Sequence, residues 1–296
     1  MQLIEVNCPV CQSTNYRVFS PDTLGENPPV LGYKWTPDIL KRYRMVMCNI
    51  CSHLYASPRL GNMYIHYKDV IDENYLANVN SRTMNAKRIL PIIQRFAPRG
   101  RLLDVGCSTG DFISVAKDIY AVEGIELSRW ASEITSKRGL VVRRMELNEL
   151  VNSNQTYDVV TLWGVIEHME YPREEMIRIN RLLNDHGIVC LWTGDTDSIY
   201  FKILKHHWWY LMGQHIQLFS KKSMDRMMRD AGFQLIYRGI YPYTMSLEYL
   251  SILLSRYKLI GTMLKAFCRF LKIGKMQFSL RKSDEMFAIY KKTGHV

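Results

Sequence analysis

Residues 101–112 read RLLDVGCSTGDF, an apolar run that ends in an acid and turns through two glycines before becoming polar. Leu102, Leu103 and Val105 suit a buried strand, while Gly106 and Gly110 mark a sharp exit at which a ligand or another backbone can come close. The segment that follows, DFISVAKDIY (111–120), has helical spacing. A strand, a glycine turn and a helix in that order open an α/β unit of the nucleotide-binding kind.

Outward from this turn the pattern repeats. RTMNAKRILPIIQRF (82–96) reads as a helix leading in, YAVEGIE (120–126) as a strand, and a helix follows from Ser128. Strands follow near 140–144 and at 157–163 (YDVVTLW), then a helix at 173–183 and a strand at 187–193 (GIVCLWT). Such alternation predicts a doubly wound α/β sheet, mostly parallel and covered on both faces, with ligands outside the carboxyl ends of its strands. DEMFAIYKKT (284–293) reads as a last strand returning beside FQLIYRGIY (233–241).

The turn excludes some ligands. A triphosphate-gripping loop needs Gly-Lys-Ser/Thr at its end, and GCSTGDF has no lysine. A dinucleotide turn wants Gly-x-Gly-x-x-Gly, and here glycines stand only at 106 and 110. The arrangement hydrophobic-Asp-Val-Gly-x-x-x-Gly, with Glu126 closing the next strand, resembles the class I S-adenosylmethionine-dependent methyltransferases. GIELS (124–128), RRMELNEL (143–150) and YDVVTLWGVIEHMEYP (157–172) carry the likeness further.

The resemblance implies a Rossmann-like seven-stranded sheet and S-adenosylmethionine as cofactor. It assigns cofactor binding to Asp104, Gly106, Cys107 and Gly110 on the first turn. Glu126 and Leu127 would serve the ribose side, Glu146 and Leu147 would flank the adenine, and Trp163 ends the fourth strand. Two positions depart from the family pattern: Ser108 stands where many members have a third glycine, and Gly164 where many have aspartate.

Two Cys-x-x-Cys knuckles, Cys8 with Cys11 and Cys48 with Cys51, have the spacing of an all-sulfur tetrahedral zinc site. Four thiolates leave no open position, so the ion would be structural. His53 beside the second knuckle then reads as a surface residue, and Cys107, Cys190 and Cys268 as core or turn residues. A four-cysteine ribbon before the core, with HHWWYLMGQHIQLFS (206–220) and MMRDAGF (227–233) after it, resembles bacterial methyltransferases found among polysaccharide and secondary-metabolite enzymes. Sugar C-methyltransferases share the ribbon but carry a further C-terminal domain too large for 296 residues.

Methyl transfer is an in-line displacement at an already activated carbon, so it asks for alignment and, for a hydroxyl acceptor, a base; it requires no metal. His168, just past the fourth strand, and His215, in the connection after the fifth, are the candidate bases. The aromatic run HHWWY (206–210) offers either a wall for the acceptor or packing for the lid, and Glu167 either a cofactor contact or a helix-start acid.

The formal charge of +11 favours anionic partners without choosing among them. SLEYLSILLSRYKLIGTMLKAFCRFLKIGKM (246–276) spaces apolar residues helically among Arg256, Lys258, Lys265, Arg269, Lys272 and Lys275, with Gly261 as an expected break. Such helices suit a membrane interface, a lid or a dimer face. No leader or spanning segment is visible in this sequence, so a cytoplasmic protein, either soluble or peripheral at the inner membrane face, is expected.

The expected organisation is a zinc ribbon at 1–60, a connector and lead-in helix at 61–100, and the core at 101–245 with a lid around 196–222. A basic helical insertion at 246–280 precedes the final strand at 281–296. The expected activity is O-methylation of a glycan or lipid-linked glycan. The alternatives are C- or N-methylation of a nucleotide sugar and, ranked last, an RNA-modifying or nucleic-acid-binding role, because WGVIEH stands where base-modifying enzymes carry Asn-Pro-Pro-Tyr or Asp-Pro-Pro-Tyr.

Overall fold

The computed structural model describes residues 2–32, 37–153, 155–254, 258–281 and 284–294. The chain opens with β1 (Leu3–Ile4), β2 (Tyr16–Ser20), β3 (Met45–Cys48), β4 (Leu54–Ala56) and β5 (Arg59–Leu60). Short helices α1 (Tyr64–Tyr67) and α2 (Glu73–Leu76) lead to α3 (Val79–Gln94). The core then runs β6 (Gly100–Val105), α4 (Asp111–Ala116), β7 (Tyr120–Ile125), α5 (Arg129–Lys137), β8 (Val142–Arg143), α6 (Leu147–Leu150), β9 (Tyr157–Trp163), α7 (Pro172–Leu182) and β10 (Leu183–Gly194). After it come α8 (Ile199–Leu204), β11 (Gln217–Leu218), α9 (Lys221–Asp230) and β12 (Phe233–Gly239). The chain finishes with β13 (Pro242–Ser246), α10 (Leu247–Leu253), α11 (Lys258–Phe270), β14 (Gln277–Arg281) and β15 (Glu285–Lys292).

Seven strands form the central sheet in the order β12-β15-β10-β9-β6-β7-β8. The β10, β9, β6, β7 and β8 pairings are parallel, and β15 runs antiparallel between β10 and β12. Leu102, Leu103, Val159, Val160, Val189 and Leu191 are fully buried, as a parallel sheet covered on both faces requires. The strand order reverses at β6, between β9 and β7, so the β6 turn and the ends of β7 and β9 face one crevice. Local signals fix the helix starts: Ser128 caps α5 by accepting from the Ala131 N–H, and Ser220 caps α9 by accepting from the Ser223 N–H.

The ribbon is joined to the core. Its sheet has the order β11-β4-β3-β2, and β11 comes from the lid, more than 150 residues further along the chain. Cys8, Val46 and Tyr55 share one apolar cluster with Leu103, Leu162 and Met169 of the core. His53 is not a surface residue. It is fully buried, its Nε2 lies 2.8 Å from Gln217 Oε1, and burial pushes its pKa down to about 4. The signal was tertiary, since Gln217 arrives with β11.

Other differences are local. The strand expected near 140–144 is only Val142–Arg143, and β10 begins at Leu183 through an irregular register before Ile188. Gly261 does not break a helix; it lies within α11. The insertion is closed at its base by an antiparallel pair, β13 with β14, which helical spacing could not announce. Arg256 lies outside the described residues. Among the described residues no helix is long and apolar enough to cross a membrane.

Candidate active site

The β6 turn is left-handed at both glycines, with φ +67° at Gly106 and +77° at Gly110. A Cβ on Gly106 would stand 2.8 Å from Val165, and one on Gly110 2.8 Å from Leu140 and Thr135, so both positions demand glycine for conformation and for space. Ser108 takes the third-glycine position at φ +47°, and its N–H donates to Glu126 Oε2 at 2.8 Å. The other oxygen, Oε1, accepts from the Ser128 N–H at 2.8 Å. The acid that ends β7 is thus held by two main-chain donors, one from each adjoining turn. Burial raises its pKa, and those N–H groups oppose the rise.

A cleft opens beside this turn, across the carboxyl ends of β6, β7 and β9. Gly106, Glu126, Leu127, Glu146, Leu147, Trp163 and His168 all line it, so most of the residues singled out in the sequence converge. Trp163 brings a buried indole Nε1 that has no hydrogen-bond partner among the described residues. Asp104, Cys107, Gly110 and His215 are not among the lining residues. Asp104 is buried and accepts from Thr161 Oγ1 at 2.6 Å. Burial pushes its pKa up to about 7, a rise that the Thr161 hydrogen bond opposes and the Glu126 charge reinforces. Cys107 packs its thiol toward Gly124, where a Cβ would meet Sγ at 2.5 Å.

The cleft also contains residues that sequence reading assigned only to a connector: Tyr64, Tyr67, Val70, Asp72 and Tyr75. The tyrosine-rich composition of 55–80 was the one available signal. Three linked contacts hold this segment over the crevice. Arg82 sits over the Tyr75 ring at 3.4 Å and pairs with Asp111 at 2.6 Å, and Arg138 meets the same carboxylate at 2.6 Å. Further back, the buried Arg59–Glu170 pair at 3.1 Å ties the end of the ribbon to the segment after β9, and Glu170 also accepts from the N–H groups of Asn62 and Met63.

His168 and His215 come together at the far side of the cleft, with ring centroids 4.8 Å apart. His168 Nδ1 lies 3.0 Å from the Gln214 carbonyl and 2.9 Å from the Tyr67 hydroxyl, and His215 Nδ1 lies 2.7 Å from the Tyr210 carbonyl. A carbonyl only accepts, so Nδ1 carries the proton in both rings and Nε2 keeps its lone pair. Burial lowers both pKa values, that of His215 further, so both rings are neutral near pH 7. Glu167 is 1% exposed and accepts from Thr193 Oγ1 at 3.0 Å and from the Tyr210 hydroxyl. Of the two readings of HHWWY, packing is the one observed. Trp208 is buried in the lid cluster, and Trp208 and Trp209 both donate to Asp284 Oδ2.

The methyltransferase domain family matches residues 80–238, more than half of the chain. The chain belongs to that family. This methyltransferase is 25% identical over 147 residues to an uncharacterized protein of Methanocaldococcus jannaschii, a stretch that covers 50% of this chain and 63% of the relative's length. Its fold is similar to that of an S-adenosylmethionine-dependent methyltransferase from Archaeoglobus fulgidus, with a TM-score of 0.50 and 18% identity, covering 72% of this chain and 95% of the other. It also overlaps a magnesium protoporphyrin IX methyltransferase from Synechocystis, with a TM-score of 0.48 and 12% identity, over 71% of this chain and 83% of that one. The chain accordingly carries a methyltransferase domain on a Rossmann-like, mostly parallel sheet of seven strands.

Proposed function

We propose that this enzyme moves a methyl group from S-adenosylmethionine to a hydroxyl of a glycan or lipid-linked glycan, with His168 activating that hydroxyl through its Nε2 lone pair and His215 supporting it from behind. The observation that carries the reading is His168 itself. It is a neutral imidazole with a free lone pair, lining the same cleft as the Glu126 turn. A hydroxyl acceptor must shed its proton as the new bond forms, and such a group meets that need.

The cleft fits the cofactor on three counts. Each Glu126 oxygen already accepts one main-chain N–H and retains a lone pair for a ribose hydroxyl. Gly106 places no side chain in the cleft, and the unpartnered Trp163 Nε1 calls for an acceptor from outside the chain. Leu127, Glu146 and Leu147 would flank the adenine. Asp104, Cys107 and Gly110 would act from beneath, by shaping the turn. When bound, the cofactor supplies a methyl group on a sulfonium, which needs no further activation. Glu126→Ala is expected to weaken S-adenosylmethionine binding by about 1.5–3 kcal/mol, the range for hydrogen bonds to a charged group. Calorimetry finding equal affinity in that variant removes the assignment.

The acceptor class draws support from two features. Tyr64, Tyr67, Tyr75, Trp130 and Trp163 line the cleft with rings whose flat faces suit a sugar. On α11, Met263, Phe267 and Phe270 share one helical stripe and stand 70%, 54% and 84% exposed, while Lys265 and Arg269 fall on the other side of the helix and Lys272 and Lys275 follow its end. An exposed apolar stripe on a helix with a basic opposite side suits a lipid surface, where a lipid-linked acceptor and an inner-face location would coincide.

The deciding experiment incubates the enzyme with methyl-labelled cofactor and cell extract separated into lipid, glycan and RNA pools. Label is expected as a methyl ether in the lipid or glycan pool. Label on carbon or nitrogen of a nucleotide sugar, or in RNA, rejects the reading.

The ribbon cysteines would hold one structural zinc. Cys8 and Cys51 sulfurs lie 3.5 Å apart, as do those of Cys11 and Cys48, and all four sulfurs fall within 4.8 Å of one another. All four are free thiols, and tetrahedral bonds of about 2.3 Å put sulfurs roughly 3.8 Å apart, close to this spacing.

A further inference from the structure

We infer that Glu167, His168 and His215 form a second metal site, one that takes a divalent cation where His168 borders the cleft and the other two stand behind it. One donor atom from each of the three lies within 4.8 Å of those of the other two. Around an ion with bonds of about 2.1 Å, neighbouring donors stand roughly 3 Å apart and opposite ones roughly 4.2 Å, so closure asks for side-chain movement on the order of 1 Å.

Three observations favour an ion over a packing cluster. Both imidazoles spend Nδ1–H on a main-chain carbonyl, Gln214 for His168 and Tyr210 for His215, which is how a protein fixes a histidine that ligates through Nε2. Glu167 is oriented in the same way, by the hydroxyls of Tyr210 and Thr193, and those donors match an ionised carboxylate that can only accept. That carboxylate is nonetheless buried with no ion pair to Lys, Arg or His among the described residues. A buried carboxyl group whose two oxygens both accept hydroxyl hydrogen bonds, beside two imidazoles fixed through Nδ1, presents a donor set that a cation would complete.

Two nitrogens and one oxygen suit a first-row divalent ion and leave coordination positions open, unlike the closed four-sulfur set of the ribbon. Methyl transfer does not demand a metal, but hydroxyl activation can use one, and with both Nε2 lone pairs on the ion the metal takes the place of His168 as direct base. An acceptor hydroxyl bound there would release its proton to solvent more readily. Its oxygen then forms the bond to the methyl carbon as the carbon–sulfur bond breaks, and the electron pair returns to sulfur, leaving a neutral thioether, a methyl ether and one proton. This role rests on the methyl-transfer reading of the cleft; the site itself does not.

The test uses the full chain, treated briefly with chelator so that the ribbon stays metallated, and titrated with Mn²⁺ by electron paramagnetic resonance. One Mn²⁺ per chain is expected. Glu167→Gln and His215→Asn should weaken it more than 100-fold. Tyr210→Phe, which keeps the ring and removes only the orienting hydroxyl, should weaken it about 10–100-fold. Calorimetry with S-adenosylmethionine on the same samples should show unchanged cofactor binding. A chain that binds S-adenosylmethionine but no Mn²⁺ overturns the inference, as does Mn²⁺ binding indifferent to all three substitutions. If Mn²⁺ binds and S-adenosylmethionine does not, the metal site stands and the methyl-transfer reading of the cleft falls.

Discussion

His168→Ala should cut turnover on the true acceptor by roughly 10²–10⁴-fold, the scale for losing the group that handles the acceptor proton, while S-adenosylmethionine affinity stays nearly intact. The separation follows from placement. Glu126, Leu127, Glu146 and Leu147 surround the β7 and α6 end of the cleft, whereas His168 stands past β9 against Tyr67 and Gln214. His215→Ala should act in the same direction, because its ring packs against His168 although it does not line the cleft. Single-turnover rates with labelled cofactor, read beside calorimetric affinity, check both variants. Near-normal turnover in both would clear the two histidines of any role in acceptor activation. Loss of turnover in a chain that binds no Mn²⁺ would leave His168 as a plain proton acceptor.

Breaking the four-cysteine set proposed to hold zinc should have the second large effect. Structural zinc contributes on the order of 10–16 kcal/mol to folding in isolated fingers, so Cys48→Ser should lose the ion and open the N-terminal lobe before the core. The damage should reach the active site by a route visible in the structure. Cys48 ends β3, β3 pairs with β4, and β4 pairs with β11. On β11, Gln217 meets His53 and donates to the Met169 carbonyl at 3.1 Å, directly after His168. Turnover should therefore fall more than S-adenosylmethionine affinity. Metal analysis should give one zinc per chain, and proteolysis of Cys48→Ser should cut first within residues 2–60. A protein purified without chelator that is metal-free, with all four thiols titrating in the native state, contradicts the assignment.

Much of the cofactor half of the cleft was legible because its signals are local. The β6 turn needs left-handed glycines at 106 and 110, the acid at 126 must end a strand, and Ser128 must cap a helix; each requirement falls within a few residues. The side of the cleft past β9 was legible only in His168, with His215 behind it. Tyr64, Tyr67 and Tyr75 gave no periodic signal, since α1 and α2 are four residues each and are held by Arg82, Arg59 and Glu170 rather than by their own amphipathic faces.

The sequence by itself determined the alternation of strands and helices, the glycine turn, the knuckle spacing and the residue types at the strand ends. These follow from hydrophobic period and backbone sterics, which act over a few residues. Only the tertiary structure decided that His53 is buried, that a strand of the lid completes the ribbon sheet, and that Glu167, His168 and His215 converge. Those outcomes depend on pairings across 40 or more positions, His168 with His215 and β4 with β11. Contacts of that range are set by which apolar faces the whole chain can bury together, and no local stretch encodes that choice.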